Sequence, residues 1–238
     1  MDLNGKVAVV TGASRGIGEA VAVAFAREGA QLLLVARTEE DLERVAALCR
    51  EAGSPRVLPV AADLGTSEGL DHVVMSAVRA FDGFDVLVNN AGVGRAKPIA
   101  DVDDDEYDRH MAVNLRAPYL LTQAAVKVLR RRGGGQVVQI ASGLAYAGRA
   151  EWSLYAAAKF GLRGFTECVR QEVAREGIKV GMVAPGYTET HFFDGWGPPE
   201  AFRDPIKPED VAYAVLAMVR QGPRSDIKEI TVRNRGAP

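Results

Sequence analysis

The chain has 238 residues, an ordinary globular composition and a formal net charge of −2, so the basic excess expected of a nucleic-acid or membrane-surface binder is missing. No apolar run is long enough to cross a bilayer, and the start, Met1-Asp-Leu-Asn-Gly-Lys, lacks the charged-then-apolar layout of a signal peptide, so a cytoplasmic location is expected. Cys49 and Cys168 lie far apart in expected helices and read as buried small hydrophobes, and His72, His110 and His191 have no ligand spacing, so neither a disulfide nor a metal site is expected.

In chain order, short apolar runs alternate with segments of helical period. A strand at 7–11 leads to a helix at 16–28. A strand at 31–36 precedes a helix at 39–52, with Thr38 and Asp41 as a start resembling a capping box. A strand at 56–61, a helix at 67–81 and a strand at 86–89 follow. One long helix is expected over 103–132, with acid loaded onto its start between Asp101 and Glu106. Gly133-Gly-Gly135 reads as a flexible turn before a strand at 136–141. Next come a helix at 152–175 and a strand at 179–183. An irregular insertion between Thr188 and Lys207, broken by Gly195-Trp-Gly-Pro-Pro199, leads to a helix at 209–221 and a strand at 229–232. The first six strands are nearly continuous in apolar residues, which implies burial on both faces, as in a parallel sheet. The expectation is a single α/β domain over 1–238. It would be a doubly wound Rossmann fold in three α/β/α layers, with a mostly parallel seven-stranded sheet and a short insertion at about 188–207.

The first strand runs into Thr11-Gly12-Ala-Ser-Arg15-Gly16-Ile-Gly18 and then a helix. Glycines let the backbone turn sharply and approach a pyrophosphate, and the helix start offers free N–H groups. A serine-hydrolase elbow is the rival, since Gly12-Ala-Ser14-Arg-Gly16 fits Gly-x-Ser-x-Gly. Against it, Gly18 has no task in an elbow, and only His191, in the irregular insertion, is late enough to complete the order. The second strand ends Leu34-Val35-Ala36-Arg37, with no acid to bind a free adenosine ribose and a cation instead. Arg37, with Arg15 from the loop, favours the 2′-phosphate of NADP(H) over NAD(H).

Tyr155 and Lys159 stand four apart in an alanine-rich helical run and so share a face. A phenol ionises near pH ~10, and a neighbouring cation favours the phenolate, so the pair suits proton exchange with a carbonyl or alcohol oxygen. An exposed lysine beside a half-buried tyrosine is the bland alternative. The pair keeps company with Asn89-Asn90-Ala91-Gly92 after the fourth strand, Asn114 in a helix, Ser142 after the fifth strand, and Pro185-Gly186 with Thr188 after the sixth.

In this order and register the chain resembles the short-chain dehydrogenase/reductase family, in its compact branch, over essentially its whole length. The resemblance implies an oxidoreductase that interconverts a ketone or aldehyde and an alcohol. Tyr155 would be the general acid/base. Lys159 would lower its pKa and hold the nicotinamide ribose, and Ser142 would orient the substrate oxygen. Asn114 would bend its helix and anchor a proton-relay water. Gly12, Ser14, Arg15, Gly16, Ile17 and Gly18 would shape the phosphate loop, with Arg37 beside it. Asp63 and Leu64 would meet the adenine. Asn90, Ala91 and Gly92 would line the ribose and nicotinamide side, and Pro185, Gly186 and Thr188 the carboxamide. The implied partners are a small carbonyl or alcohol and further copies of the chain, as a homodimer or homotetramer through the two long helices. A catalytically silent NADP(H)-binding regulator is the alternative, though it has no need of Asn114, Ser142, Tyr155 and Lys159 together.

The chain departs from many bacterial relatives at its end, Ile227-Lys-Glu-Ile-Thr-Val-Arg-Asn-Arg-Gly-Ala-Pro238, which has no Val-Asp-Gly-Gly tail. The insertion carries His191, Phe192, Phe193 and Trp196, with Gly195 and Gly197 beside the tryptophan. They read either as an aromatic lid over an apolar substrate or as plugs for a loop that must be packed. Leu144, Tyr146 and Trp152 are expected in the same pocket wall.

Overall fold

Alternation within each strand sorts side chains onto the two faces of one sheet. In β1 (Val7–Thr11), Ala8 and Val10 enter one core while Val7 and Val9 enter the other. β2 (Gln31–Ala36) repeats this, Leu32 and Leu34 against Leu33 and Val35. The computed structural model describes residues 1–193 and 204–235. The remaining strands are β3 (Val57–Ala61), β4 (Val86–Asn89), β5 (Gly135–Ile140), β6 (Ile178–Pro185) and β7 (Glu229–Val232). They form one seven-stranded sheet in the order β3-β2-β1-β4-β5-β6-β7, with every neighbouring pair parallel.

Helices cover both faces. α1 (Gly16–Arg27), α2 (Glu39–Glu51) and α7 (Pro208–Arg220) close one core, around the fully buried Phe25 and Met218. Burying a side chain of that size contributes about 1.5–3 kcal/mol. α3 (Ser67–Phe81), α5 (Ala117–Arg131) and α6 (Ser153–Glu172) close the other, around Leu87, Leu121 and Leu129. The doubly wound, three-layer architecture is the one expected from the sequence.

The local departures have physical causes. β6 runs on to Pro185 because β7 pairs alongside it as far as Val232. The long helix expected over 103–132 is broken into α4 (Asp104–Met111), a π-turn at Ala112–Arg116, and α5. Pro118 has no N–H to give the carbonyl of Asn114, four residues back, so the regular ladder cannot pass. The Asp103 carboxylate caps α4 by accepting from Glu106 N at 2.8 Å. Thr38 precedes α2 as expected, but its hydroxyl makes no cap bond. Gly135 is not a slack turn residue. It opens β5, and a Cβ there would stand 2.5 Å from both Asp85 O and Leu129 Cδ2. Cys49 is buried as expected, whereas Cys168 lies exposed on the outer side of α6. No described helix is long and apolar enough to cross a membrane.

Candidate active site

A parallel sheet sends the carboxyl ends of all its strands to one edge, where loops leave a crevice. Here a cleft of about 730 Å³ runs along that edge from Arg37 at the end of β2 to Tyr155 on α6. It brings together all the expected site residues except Gly18 and Asn114, which do not line it.

The glycine loop forms the near end. Gly12 and Gly16 have φ of 64° and 59°, left-handed values that side chains rarely adopt. A Cβ on Gly12 would stand 2.9 Å from Ala91 Cα. Gly18 faces the loop's back, where a Cβ would meet Gly12 O at 2.1 Å, so only a glycine packs there. Asn90 stitches the loop to β4: its Nδ2 donates to Thr11 O at 2.9 Å and Gly12 O at 3.1 Å. Thr11 Oγ1 in turn accepts from Asn90 N at 2.9 Å and Ala91 N at 3.0 Å. Arg44 of α2 steadies the other side, donating to Ser14 O at 3.0 Å and gripping Glu19. Nothing in the sequence marks Arg44 for this, because the contact is tertiary.

Arg15 and Arg37 are exposed, and neither makes an ion pair or hydrogen bond among the described residues. Both line the cleft. Asp63, at the exit of β3, accepts from Gly65 N at 2.9 Å and from Arg109 at 2.9 Å. The Gly65 N–H and then the Arg109 guanidinium hold its carboxyl below the usual range. Arg109 itself lines the cleft and is a site residue that sequence reasoning missed.

The far end carries the proton chemistry. Ser142 leaves β5 as the cap of a short 3₁₀ turn, its Oγ accepting from Leu144 N at 3.2 Å. Tyr155 is 7% exposed and Lys159 3% exposed. The Lys159 Nζ lies 5.5 Å from the Tyr155 ring centroid and donates to Ile140 O at 2.9 Å. Burial pushes the lysine down to about 8. The same burial holds the Tyr155 phenol well above its ordinary value, with a hydrogen bond from Ser142 pulling the other way. Burial is thus the larger of the two influences on the phenol.

Asn114 is fully buried at the π-turn, so its helix is indeed distorted where the residue sits. Its Oδ1 accepts from Val93 N at 3.0 Å and its Nδ2 donates to Val93 O at 2.8 Å. Both bonds hold the Gly92–Val93 corner of the cleft.

An aromatic wall flanks Tyr155. Trp152 meets it edge-on at 5.8 Å between centroids, and Phe192 tilts against it at 5.4 Å. Leu144 and His191 also line the cleft, as expected. Tyr146 does not; its ring lies under the Arg163 guanidinium at 4.3 Å, away from the cleft. Trp196, Gly195, Gly197 and the Phe193 side chain lie outside the described residues. Thr188, buried, donates from Oγ1 to Gly186 O at 3.2 Å.

The arrangement fits a nicotinamide dinucleotide: a cradle that a Cβ would fill, unpaired cations at one end, and a buried Ser–Tyr–Lys set at the other. Comparison with known proteins agrees. The family model described as short chain dehydrogenase matches residues 6–201. An uncharacterized oxidoreductase of Staphylococcus aureus (strain USA300) is 33% identical over 231 residues, covering 97% of this chain and 98% of the relative. A metagenomic short-chain oxidoreductase, solved in complex with NADP, superposes with a TM-score of 0.86 at 35% identity, covering 98% of this chain and 99% of that one. The 3-ketoacyl-(acyl-carrier-protein) reductase from Brucella melitensis, solved with NADH, gives 0.91 at 30% identity, covering 99% and 100%.

Proposed function

Because the chain belongs to the short-chain dehydrogenase family, we propose that this oxidoreductase uses NADP(H) to interconvert a ketone or aldehyde with an alcohol, with Tyr155 as the general acid/base. The observation that carries the reading is the buried set of Ser142, Tyr155 and Lys159 at one end of a cleft whose other end holds the glycine loop, Arg15 and Arg37. The two solved relatives carry NADP and NADH respectively, so the family alone does not choose the cofactor. The choice of NADP(H) rests on Ala36 and Arg37, where an acid for a free ribose is missing. The hydrolase elbow has no standing in this family.

When bound, the dinucleotide supplies hydride at the nicotinamide C4, and the protein's part is orientation and proton supply. Ser142 Oγ donates to the carbonyl oxygen and fixes it beside the Tyr155 Oη. Tyr155 gives its proton to that oxygen as negative charge develops there. In the opposite direction the phenolate takes the proton from the alcohol. Lys159, tied to Ile140 O, keeps its ammonium beside the phenol and toward the ribose hydroxyls. Asn114 holds the Gly92–Val93 corner, and the water relay implied for it would use the lone pair and hydrogen that those two bonds leave over. Trp152 and Phe192 favour an apolar substituent on the carbonyl carbon. Assembly through the α4–α5–α6 face, where Tyr107, Tyr119 and Phe160 are exposed, belongs to the same reading.

NADPH absorbance followed over a panel of ketones, aldehydes and diketones tests it. Turnover should be present and should fall by about 10²–10⁴-fold in Tyr155→Phe, the usual worth of a positioned acid/base. NADPH binding without turnover of any carbonyl would favour the silent regulator, and unchanged turnover in the phenylalanine variant would sink the role given to Tyr155.

A further inference from the structure

The tail after β7 lacks the Val-Asp-Gly-Gly ending, yet Asn234 within it is 7% exposed and fully engaged. Its Oδ1 accepts from Tyr187 N at 2.8 Å, and its Nδ2 donates to Tyr187 O at 2.8 Å and to Asp204 O at 3.2 Å. One side-chain amide therefore holds both backbone groups of Tyr187, as a paired strand would, and also holds the chain where it returns at Asp204. The backbone continues the same seam: Ile206 N donates to Tyr187 O at 3.0 Å, and Glu189 N to Ile206 O at 2.8 Å. Gly186 makes room for the clip, since a Cβ there would stand 2.5 Å from Asn234 Oδ1. Pro185, Gly186, Tyr187 and Thr188 all line the cleft; Asn234 does not.

We propose that Asn234 is a positioning residue for the dinucleotide, holding the Pro185–Thr188 turn in the shape that receives its nicotinamide end. The C-terminal tail then forms part of the cofactor site without touching the cofactor. This rests on the dinucleotide reading above. Gly186 N reaches Val232 O at 2.8 Å, and the next residue's N–H and C=O are both met by the Asn234 amide at 2.8 Å. Removing that amide takes both bonds from the turn at once.

The test compares binding of NADPH with binding of 2′,5′-ADP, which carries the adenosine and 2′-phosphate but no nicotinamide. In Asn234→Ala, NADPH binding should weaken by about tenfold or more, the loss of roughly one to two net hydrogen bonds, while 2′,5′-ADP binds as in the unaltered chain. Amide exchange should quicken at Tyr187 and Thr188 and stay unchanged in β1 and β5. Asn234→Asp, which turns a second oxygen toward two carbonyls, should behave like the alanine variant. Gly186→Ala should evict Asn234 and produce the same loss. Combined with Asn234→Ala it should cost no more than either change alone, because the two act on one contact. Equal NADPH binding in Asn234→Ala and the unaltered chain would overturn the inference. So would a parallel loss of both ligands, which marks general destabilisation. If the unaltered chain binds neither NADPH nor NADH, the proposed function itself fails, and the inference with it.

Discussion

One methyl group added at Gly94 probes the aromatic wall directly. An ideal Cβ there stands 2.1 Å from Phe192 Cζ and 2.5 Å from Cε1, whereas carbon atoms rest comfortably at about 3.5–4.0 Å. The phenyl ring must therefore retreat by about 1.5 Å or leave its seat. Its centroid is now 5.4 Å from that of Tyr155, inside the about 4.5–7 Å range where aromatic pairs contribute about 0.5–1.5 kcal/mol beyond area burial. Losing that wall should lower kcat/KM for a bulky apolar ketone by roughly two- to twelvefold. The loss should fall mainly on KM, as expected of a wall that would meet the substrate before and during reaction alike. Phe192→Ala should give a similar loss without any clash. Gly94→Ala added to Phe192→Ala should then be nearly silent, since the ring it collides with is gone. NADPH oxidation with a bulky aryl ketone and a small ketone measures this, and the Kd for 2′,5′-ADP confirms that the far end of the cleft is untouched. Losses that add in the double variant, or Gly94→Ala turnover equal to that of the unaltered enzyme on the bulky ketone, would refute the seating of Phe192 as a substrate wall.

Three further outcomes follow from the cleft. Arg37→Ala should weaken NADPH by about tenfold or more and leave NADH nearly unchanged, since only the 2′-phosphate offers a charge-assisted partner; a parallel loss of both, or an unaltered enzyme that prefers NADH, would reverse the cofactor assignment. Lys159→Met should abolish most activity yet raise the thermal midpoint near neutral pH, at about 2–4 °C per kcal/mol recovered, offset in part by the carbonyl of Ile140 left without its donor. The sign comes from the lysine's value of about 8 in the folded chain against an ordinary 10.5. Between those values the unfolded chain binds more protons, so native stability rises with pH across that window, and the methionine variant should lack this rise in midpoints measured from pH 7 to 10.5. Phe25→Ala, at a fully buried site between α1 and the sheet, should cost about 3–5 kcal/mol in urea unfolding.

Strand positions and the glycine loop were legible in the sequence because their causes are local. Apolar runs report burial, and the loop's glycines report backbone shape. Tyr155 and Lys159 could be paired from helical spacing, and Ser142 placed from the end of its strand. What escaped is what needs the third dimension. Burial is the first influence on the Tyr155 phenol, and burial cannot be read from four residues of spacing. The seat of Phe192 on Gly94 and the grip of Arg109 on Asp63 join distant parts of the chain. Tyr146 was expected in the pocket wall, but its ring lies under Arg163, from the next helix. The break at Ala112–Arg116 falls inside a span expected as one helix; Pro118, a proline within that pattern, is the local signal it left unused.

The strand order has a consequence for the growing chain. β1 can pair with β2 as soon as both have been made, but its other edge stays open until β4 arrives, since the sheet runs β2-β1-β4. Domains assemble from the N-terminus during synthesis, and Asn234 follows every other residue of the site in sequence. The Pro185–Thr188 turn therefore remains unclamped on the ribosome after the sheet's first six strands exist. A chain cut just before Asn234 would retain those strands while lacking the clip on one wall of the cleft, so folded mass and competence to hold a dinucleotide would part company.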